Sequence, residues 1–240
     1  PHRSGRHGGR AGQLSLATAY ARGVLPIVTP EEMRAIDAAA PEPVEELIER
    51  AGAAVARAAL RMLGGGYGRT VNIVVGKGNN GADGRAAGAR LVERGVRVRY
   101  FDAAQCPDVL PESDLVIDAA YGTGFRGTWS PPAVGDTPVL AVDVPSGVDA
   151  LTGQIEGEVL TATHTVTFAA WKFGLLNPPG SDVTGTVEVV ELLVSELVTN
   201  ALEHGRYGAD VVVHTRTTPA GIDITVVSAA SAHPPRRATN

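Results

Sequence analysis

Cysteine is almost missing from this chain: Cys106 is the single thiol in 240 residues. A disulfide framework within one chain is therefore excluded, and a reducing, cytoplasmic setting is the expected one. There is no surplus of positive charge either. The formal net charge is −5, so neither a nucleic acid nor a membrane surface is expected as a partner. The six histidines, at positions 2, 7, 164, 204, 214 and 233, lack the spacing of metal ligands. No apolar run reaches membrane-spanning length, and no signal-peptide pattern is visible. The first residue is Pro1 rather than Met, as in a piece of a longer reading frame. What the chain does have is apolar substance. Its hydrophobic content of 44% is enough for a buried core.

Residues 1–23 are rich in Gly, Arg and His without periodicity, and are expected to form a disordered basic arm. Thr29-Pro30-Glu31-Glu32 then has the form of a helix start: a Thr cap, Pro at the first helical position and Glu at the third. A second helix is expected after Pro43. Leu47, Ala51, Val55 and Met62 recur there at helical spacing, and Gly64-Gly65-Gly66 ends it. Beyond it the pattern changes to short β-branched runs at 71–75, 96–101, 114–118, 138–142, 164–169 and 186–191. Short, continuously apolar strands separated by helix-length or loop segments predict a mainly parallel sheet covered on both faces. Such a sheet binds ligands outside the carboxyl ends of its strands.

Polar chemistry collects at those ends. The 71–75 run leads into Gly76-Lys77-Gly78-Asn79-Asn80-Gly81-Ala82-Asp83-Gly84, and then into a helix-like segment. Glycines let a backbone turn sharply and approach a ligand, and a following helix offers unpaired N–H groups. The two Asn and the Asp exceed what a structural turn needs. The 114–118 run ends in Asp118 and continues to Gly122-Thr123-Gly124-Phe125-Arg126-Gly127-Thr128. The 138–142 run ends in Asp143-Val144-Pro145-Ser146-Gly147. The 164–169 run is followed by Lys172. One such turn is ordinary; four at successive strand ends predict a ligand site. Gly76, Gly78 and Gly81, and again Gly122, Gly124 and Gly127, have the spacing of a dinucleotide fingerprint, with Asp102 closing the next strand. A nicotinamide-dependent oxidoreductase is thus one reading, although too little chain remains for a substrate domain. Asp102 reads equally as a ribose ligand and as a solvated strand end.

Five stretches, in order and covering roughly residues 24–193, carry a resemblance to the NAD(P)H-hydrate epimerase family, the YjeF N-terminal domain. They are Glu49-Arg50-Ala51-Gly52; Gly78 to Gly84; Asp118 with Gly122-Thr123-Gly124; Val142 to Asp149; and Thr165-Val166-Thr167-Phe168 with Lys172. The resemblance implies a three-layer α/β/α Rossmann-like domain, usually a homodimer. It implies an isomerase that interconverts the R and S forms of hydrated NADH or NADPH. A companion dehydratase repairs only the S form. No dehydratase segment follows in this chain, so the second repair activity is not expected. Carried over by resemblance, Asn80, Asp118 and Ser146 coordinate a potassium ion. Their oxygens suit a hard cation. Asn79, Asn80, Gly81, Ala82 and Asp83, the stretch Gly122 to Thr128, and Asp143 line the substrate pocket.

For proton exchange with the hydroxyl of the hydrated ring, Asp143 is the first candidate and Asp83 the second. Lys172 orients a carboxylate or meets phosphate, and Arg126 is a further phosphate candidate. The bland alternatives are an Asp143 that only caps the Pro145 turn and a Lys172 on the surface. A catalytically silent binding or dimerisation module is the rival from another functional class. Two positions depart from the family pattern. Ala82 stands for a usual Gly, which matters only if that residue has positive φ. Ile48 stands for a usual Met and reads as a volume-tolerant core swap.

Residues 194–240 stop resembling that family. Ser195 to Gly205 resembles the asparagine box of histidine-kinase-like ATPases of the anti-sigma-factor type, with Asn200 in the Mg-ATP position. The runs 210–214 and 222–227 then predict a hairpin. Ala229 stands where that family has its adenine-contacting Asp, and no glycine-rich lid follows. The expectation is a short helix–hairpin extension without ATP-binding function.

Overall fold

The computed structural model describes residues 25–40, 42–190, 211–218 and 221–228. The described residues from Ile27 to Val190 form one compact unit. In chain order this unit contains β1 (Ile27–Val28), α1 (Pro30–Ala39), α2 (Val44–Leu63), β2 (Thr70–Val75) and α3 (Asn79–Glu93). β3 (Arg97–Asp102), β4 (Leu115–Ala119), β5 (Val139–Val142), β6 (His164–Phe168), β7 (Trp171–Lys172) and β8 (Thr186–Val190) follow.

The local signals operate as chemistry predicts. At the start of α1 the Glu32 N–H donates to Thr29 Oγ1 at 3.2 Å, and the Thr29 N–H donates to Glu32 Oε2 at 2.8 Å. This reciprocal pair satisfies two donors that have no partner inside the helix. α2 stops at Gly64, whose φ of 65° places it in the left-handed region that glycine enters without penalty.

Six strands form one parallel sheet in the order β3-β2-β4-β5-β6-β8. From β2 the chain first steps outward to β3, then returns past β2 to β4 and continues the other way. The strand order therefore reverses between β2 and β4, and there the loops leaving the two strands part and open a crevice. Alternation sorts the side chains into two apolar layers. Ile73, Ile117, Leu140 and Val166 pack with Val55 of α2 and Leu91 of α3. Val74, Val116 and Val139 pack on the other face with Leu110, Trp129 and Leu160. The first outer layer is helical. The second is built from irregular segments after β3, β4 and β5. Those segments carry Pro107, Pro111, Pro131, Pro132 and Pro145 among glycines, a composition that cannot sustain helices.

The glycine-rich stretch holds a surprise. The sequence predicts a loop to Gly84; the structure begins α3 at Asn79, with Gly78 as its N-cap. Glycine inside a helix costs about 1 kcal/mol relative to Ala. Here the absence of Cβ permits close packing of the helix. A Cβ at Gly81 would lie 2.0 Å from the Gly76 carbonyl oxygen, and one at Gly84 would lie 2.5 Å from Ala119 Cβ. Much of the apparent dinucleotide fingerprint is therefore used to seat α3 on the sheet.

β1 pairs in parallel with β7, with Val28 opposite Lys172. The segment that begins α1 is thus hydrogen-bonded to the segment carrying the lysine.

The second unit holds, among the described residues, one antiparallel pair, β9 (Val211–Thr218) with β10 (Gly221–Ser228). The hairpin expected there is present and longer at both strands. The basic arm at 1–23 and the helix expected over 195–205 lie outside the described residues. No helix among the described residues is long and apolar enough to cross a membrane.

Candidate functional site

A cavity of about 760 Å³ opens at the carboxyl ends of β2, β4, β5 and β6. Asn79, Asn80 and Asp83 reach it from the first turns of α3, where unpaired N–H groups also gather. Gly122, Thr123, Gly124, Phe125 and Arg126 line it from the loop after β4. Asp143 and Lys172 line it from beyond β5 and β6. These positions were expected together, and the sheet order brings them together. Four others do not line it. Gly81 and Ala82 lie off the helix face that carries Asn79, Asn80 and Asp83, and Gly127 and Thr128 are exposed beyond the loop. Ala82 is helical and does not have positive φ, so its methyl does not strain the backbone. Ile48 is not a core residue but a half-buried part of the cavity wall. Asp102 does not line the cavity. Its Oδ1 accepts the Ala104 N–H at 2.8 Å, as a strand-end turn residue does.

Asp143 has φ of 67°, rare for a residue with a side chain. Its N–H donates to the Val166 carbonyl at 2.7 Å, which helps to hold that conformation. Lys172 is wholly buried, so it is not a surface residue. All three of its ammonium hydrogens have acceptors: Asp143 Oδ1 at 2.6 Å, Thr167 Oγ1 at 2.7 Å and the Phe168 carbonyl at 2.8 Å. A lysine engaged in this way orients the carboxylate rather than reaching for a phosphate. A buried ammonium needs such a partner set to offset its desolvation.

Asp83 is buried beside this pair. Burial, then the charges of Asp143 and Asp37, push its carboxyl up to about 8. It therefore holds its proton through neutral pH. Folding then binds a proton that the unfolded chain, where an aspartate has its ordinary value of 3.8, releases. Stability falls as pH rises from about 4 to about 8, by an amount on the order of a few kcal/mol. D83N is expected to match the wild type in melting temperature near pH 4 and to exceed it at pH 9. Thermal melts of the two proteins across that range check this; a difference independent of pH would contradict it.

Asp37 was not singled out from the sequence. It lines the cavity from the last turn of α1, with Met33 and Arg34 on the same helix. Burial first and the Asp143 charge second push its carboxyl up, while Lys172 acts the other way. Its spacing of four residues from Met33 on one helix face was the available signal.

A second cluster lies where the segments after β2, β4 and β5 meet. Asp118 is fully buried and has no cationic partner among the described residues. Its Oδ1 accepts from Ser146 Oγ at 2.6 Å and the Ala120 N–H at 3.3 Å. Its Oδ2 accepts the Ser146 N–H at 2.8 Å. Burial pushes its carboxyl up, against these hydrogen bonds. The Asn80 amide donates Nδ2–H to the Tyr121 carbonyl at 2.9 Å, and the Tyr121 N–H donates to Ser146 Oγ at 2.8 Å. Asn80 Oδ1 is buried without a hydrogen-bond partner. An orphaned amide oxygen near a buried carboxylate, a hydroxyl and a carbonyl is a donor set that fits a hard monovalent cation.

The family model described as YjeF-related protein N-terminus matches residues 44–109 and 101–174. The bifunctional NAD(P)H-hydrate repair enzyme Nnr of Moorella thermoacetica is 34% identical over 212 residues, covering 69% of this chain and 40% of that protein. The NAD(P)H-hydrate epimerase of Leuconostoc mesenteroides is 34% identical over 199 residues, covering 67% of this chain and 88% of that protein. The chain thus spans less than half of the bifunctional relative and most of the smaller one. The crystal structure of yeast ynu0 covers 69% of this chain and 88% of its own, with 21% identity and a TM-score of 0.49, too distant a likeness to bear on function.

Proposed function

The chain belongs to the family of YjeF-related protein N-termini, and from that premise we propose that it interconverts the R and S forms of hydrated NADH or NADPH. The observation that carries this reading is the arrangement of two aspartates in one cavity. Asp143 is ion-paired with buried Lys172, and Asp83 keeps its proton to about pH 8. A base and an acid held in different environments can serve one proton-transfer cycle.

The hydrated ring carries its hydroxyl on a carbon bonded to the ring nitrogen. Asp83 gives its proton to that hydroxyl as the C–O bond breaks. The nitrogen lone pair forms the iminium, and water leaves. The Asp143 carboxylate stabilises the flat cation. Water then adds to either face and returns a proton to the carboxylates, which yields either epimer. Lys172 acts through Asp143, as a positioning residue. The α3 N-terminus, with Lys77 and Arg126, suits the phosphates of the dinucleotide.

The potassium ion implied by the family would be held by Asn80, Asp118 and Ser146, whose oxygens fit it as described. It would supply positive charge that offsets the buried Asp118 and would tie the segments after β2, β4 and β5 together. The homodimer, the cytoplasmic location and a companion S-specific dehydratase belong to the same proposal. A silent binding module has no need of a buried Lys172–Asp143 pair beside a protonated Asp83.

The test is a coupled assay. The purified chain is added to mixed R and S hydrated NADH with an S-specific dehydratase and its nucleotide. Consumption of the R form is expected to accelerate. If the R form persists at its uncatalysed rate, the proposal fails.

A further inference from the structure

We propose that Thr167 is a positioning residue for epimerisation, which pins one oxygen of Asp143 and leaves the other to face the substrate. The inference rests on the epimerase reading above.

Thr167 is fully buried in β6. Its hydroxyl occupies the middle of a chain of hydrogen bonds. Oγ1 accepts from Lys172 Nζ at 2.7 Å and donates to Asp143 Oδ1 at 3.1 Å. Lys172 donates to the same Oδ1 at 2.6 Å. A carboxylate oxygen has two lone pairs, and those of Oδ1 are both engaged. No hydrogen bond to Oδ2 is found among the described residues, and Asp143 lines the cavity. The geometry therefore marks Oδ2 as the oxygen free to meet the reacting ring.

Lys172 alone does not define this orientation. A single ammonium contact lets a carboxylate swivel about that contact. Two donors arriving at one oxygen from different strands limit the swivel. Thr167 comes from β6 and Lys172 from β7, and Asp143 follows β5. The left-handed backbone at Asp143 adds to the demand for support, because that conformation persists only where its surroundings hold it. Misplacement of a reacting group by about 1 Å can cost about 100-fold in rate.

Valine has nearly the shape of threonine but lacks the hydroxyl, whereas serine keeps the hydroxyl and loses a methyl. In the coupled assay, T167V is expected to lower kcat by about 100-fold with KM within about twofold of wild type. T167S is expected to recover to within about threefold of the wild-type kcat. Circular dichroism and the melting temperature verify that both variants are folded. If T167V keeps wild-type kcat, or if its loss is entirely in KM, the inference is overturned. If folded T167S is as impaired as T167V, the methyl rather than the hydroxyl matters and the inference is overturned as well. A wild-type chain that does not accelerate consumption of the R form defeats the epimerase reading instead, so the two failures are distinguishable.

Discussion

Replacing Asp143 by Asn is expected to lower epimerisation by roughly 10²–10⁴-fold, the usual worth of one acid–base group. The substitution is nearly isosteric. The amide oxygen can still accept from Lys172 and Thr167, which donate to Oδ1 at 2.6 and 3.1 Å in the native site. What is lost is the negative charge that stabilises the iminium and the basic oxygen that exchanges a proton. Lys172 keeps Thr167 and the Phe168 carbonyl as acceptors, so the fold is expected to survive with reduced stability. The coupled assay with saturating dehydratase gives the rate, and a thermal melt verifies folding. A folded D143N within threefold of wild type would remove Asp143 from the chemistry and leave Asp83 as the candidate.

The second large effect concerns the cation. Asp118 is a buried carboxylate whose neighbours are hydrogen-bond donors, not positive charges. A potassium ion that binds only the folded chain stabilises it by about 2.7 kcal/mol at a concentration 100 times Kd. The wild-type melting temperature is therefore expected to rise when choline chloride is exchanged for potassium chloride at equal ionic strength. D118N is expected to lose that difference, because the neutral amide no longer offers a charge to pair. D118N is also expected to be less stable than wild type without potassium, since its NH2 group must face one of the donors that now meet Asp118. Equal melting in both salts for the wild type would contradict a potassium site at Asn80, Asp118 and Ser146.

Local order in this chain was legible from residue types alone. The Thr29–Glu32 cap, the Gly64 stop and the six parallel strands each depend on neighbours close in sequence or on a simple alternation. The polar residues at four strand ends were legible for a related reason: a parallel α/β sheet delivers its strand ends to one side. Less was legible where two distant segments had to meet. Gly81 and Gly84 have the appearance of a phosphate loop, yet their missing Cβ atoms serve contact with Gly76 and Ala119. Glycine has the same appearance whether the approaching group is a ligand or another backbone. Asp37 is not legible as a site residue in the sequence, because a single Asp in an amphipathic helix is ordinary until β1 and β7 pair beside Lys172.

The sequence by itself determined the elements, their order and the acidic, amide and hydroxyl groups available at the strand ends, because periodicity and capping are written in one dimension. Only the tertiary structure decided what those groups do to one another. The pairing of β5 with β6 sets Asp143 within hydrogen-bonding distance of Thr167 and Lys172, which lie 24 and 29 residues further along the chain. Burial then sets the proton on Asp83 and leaves Asn80 Oδ1 without a partner. Desolvation and charge proximity are properties of the assembled fold, and no single segment carries them.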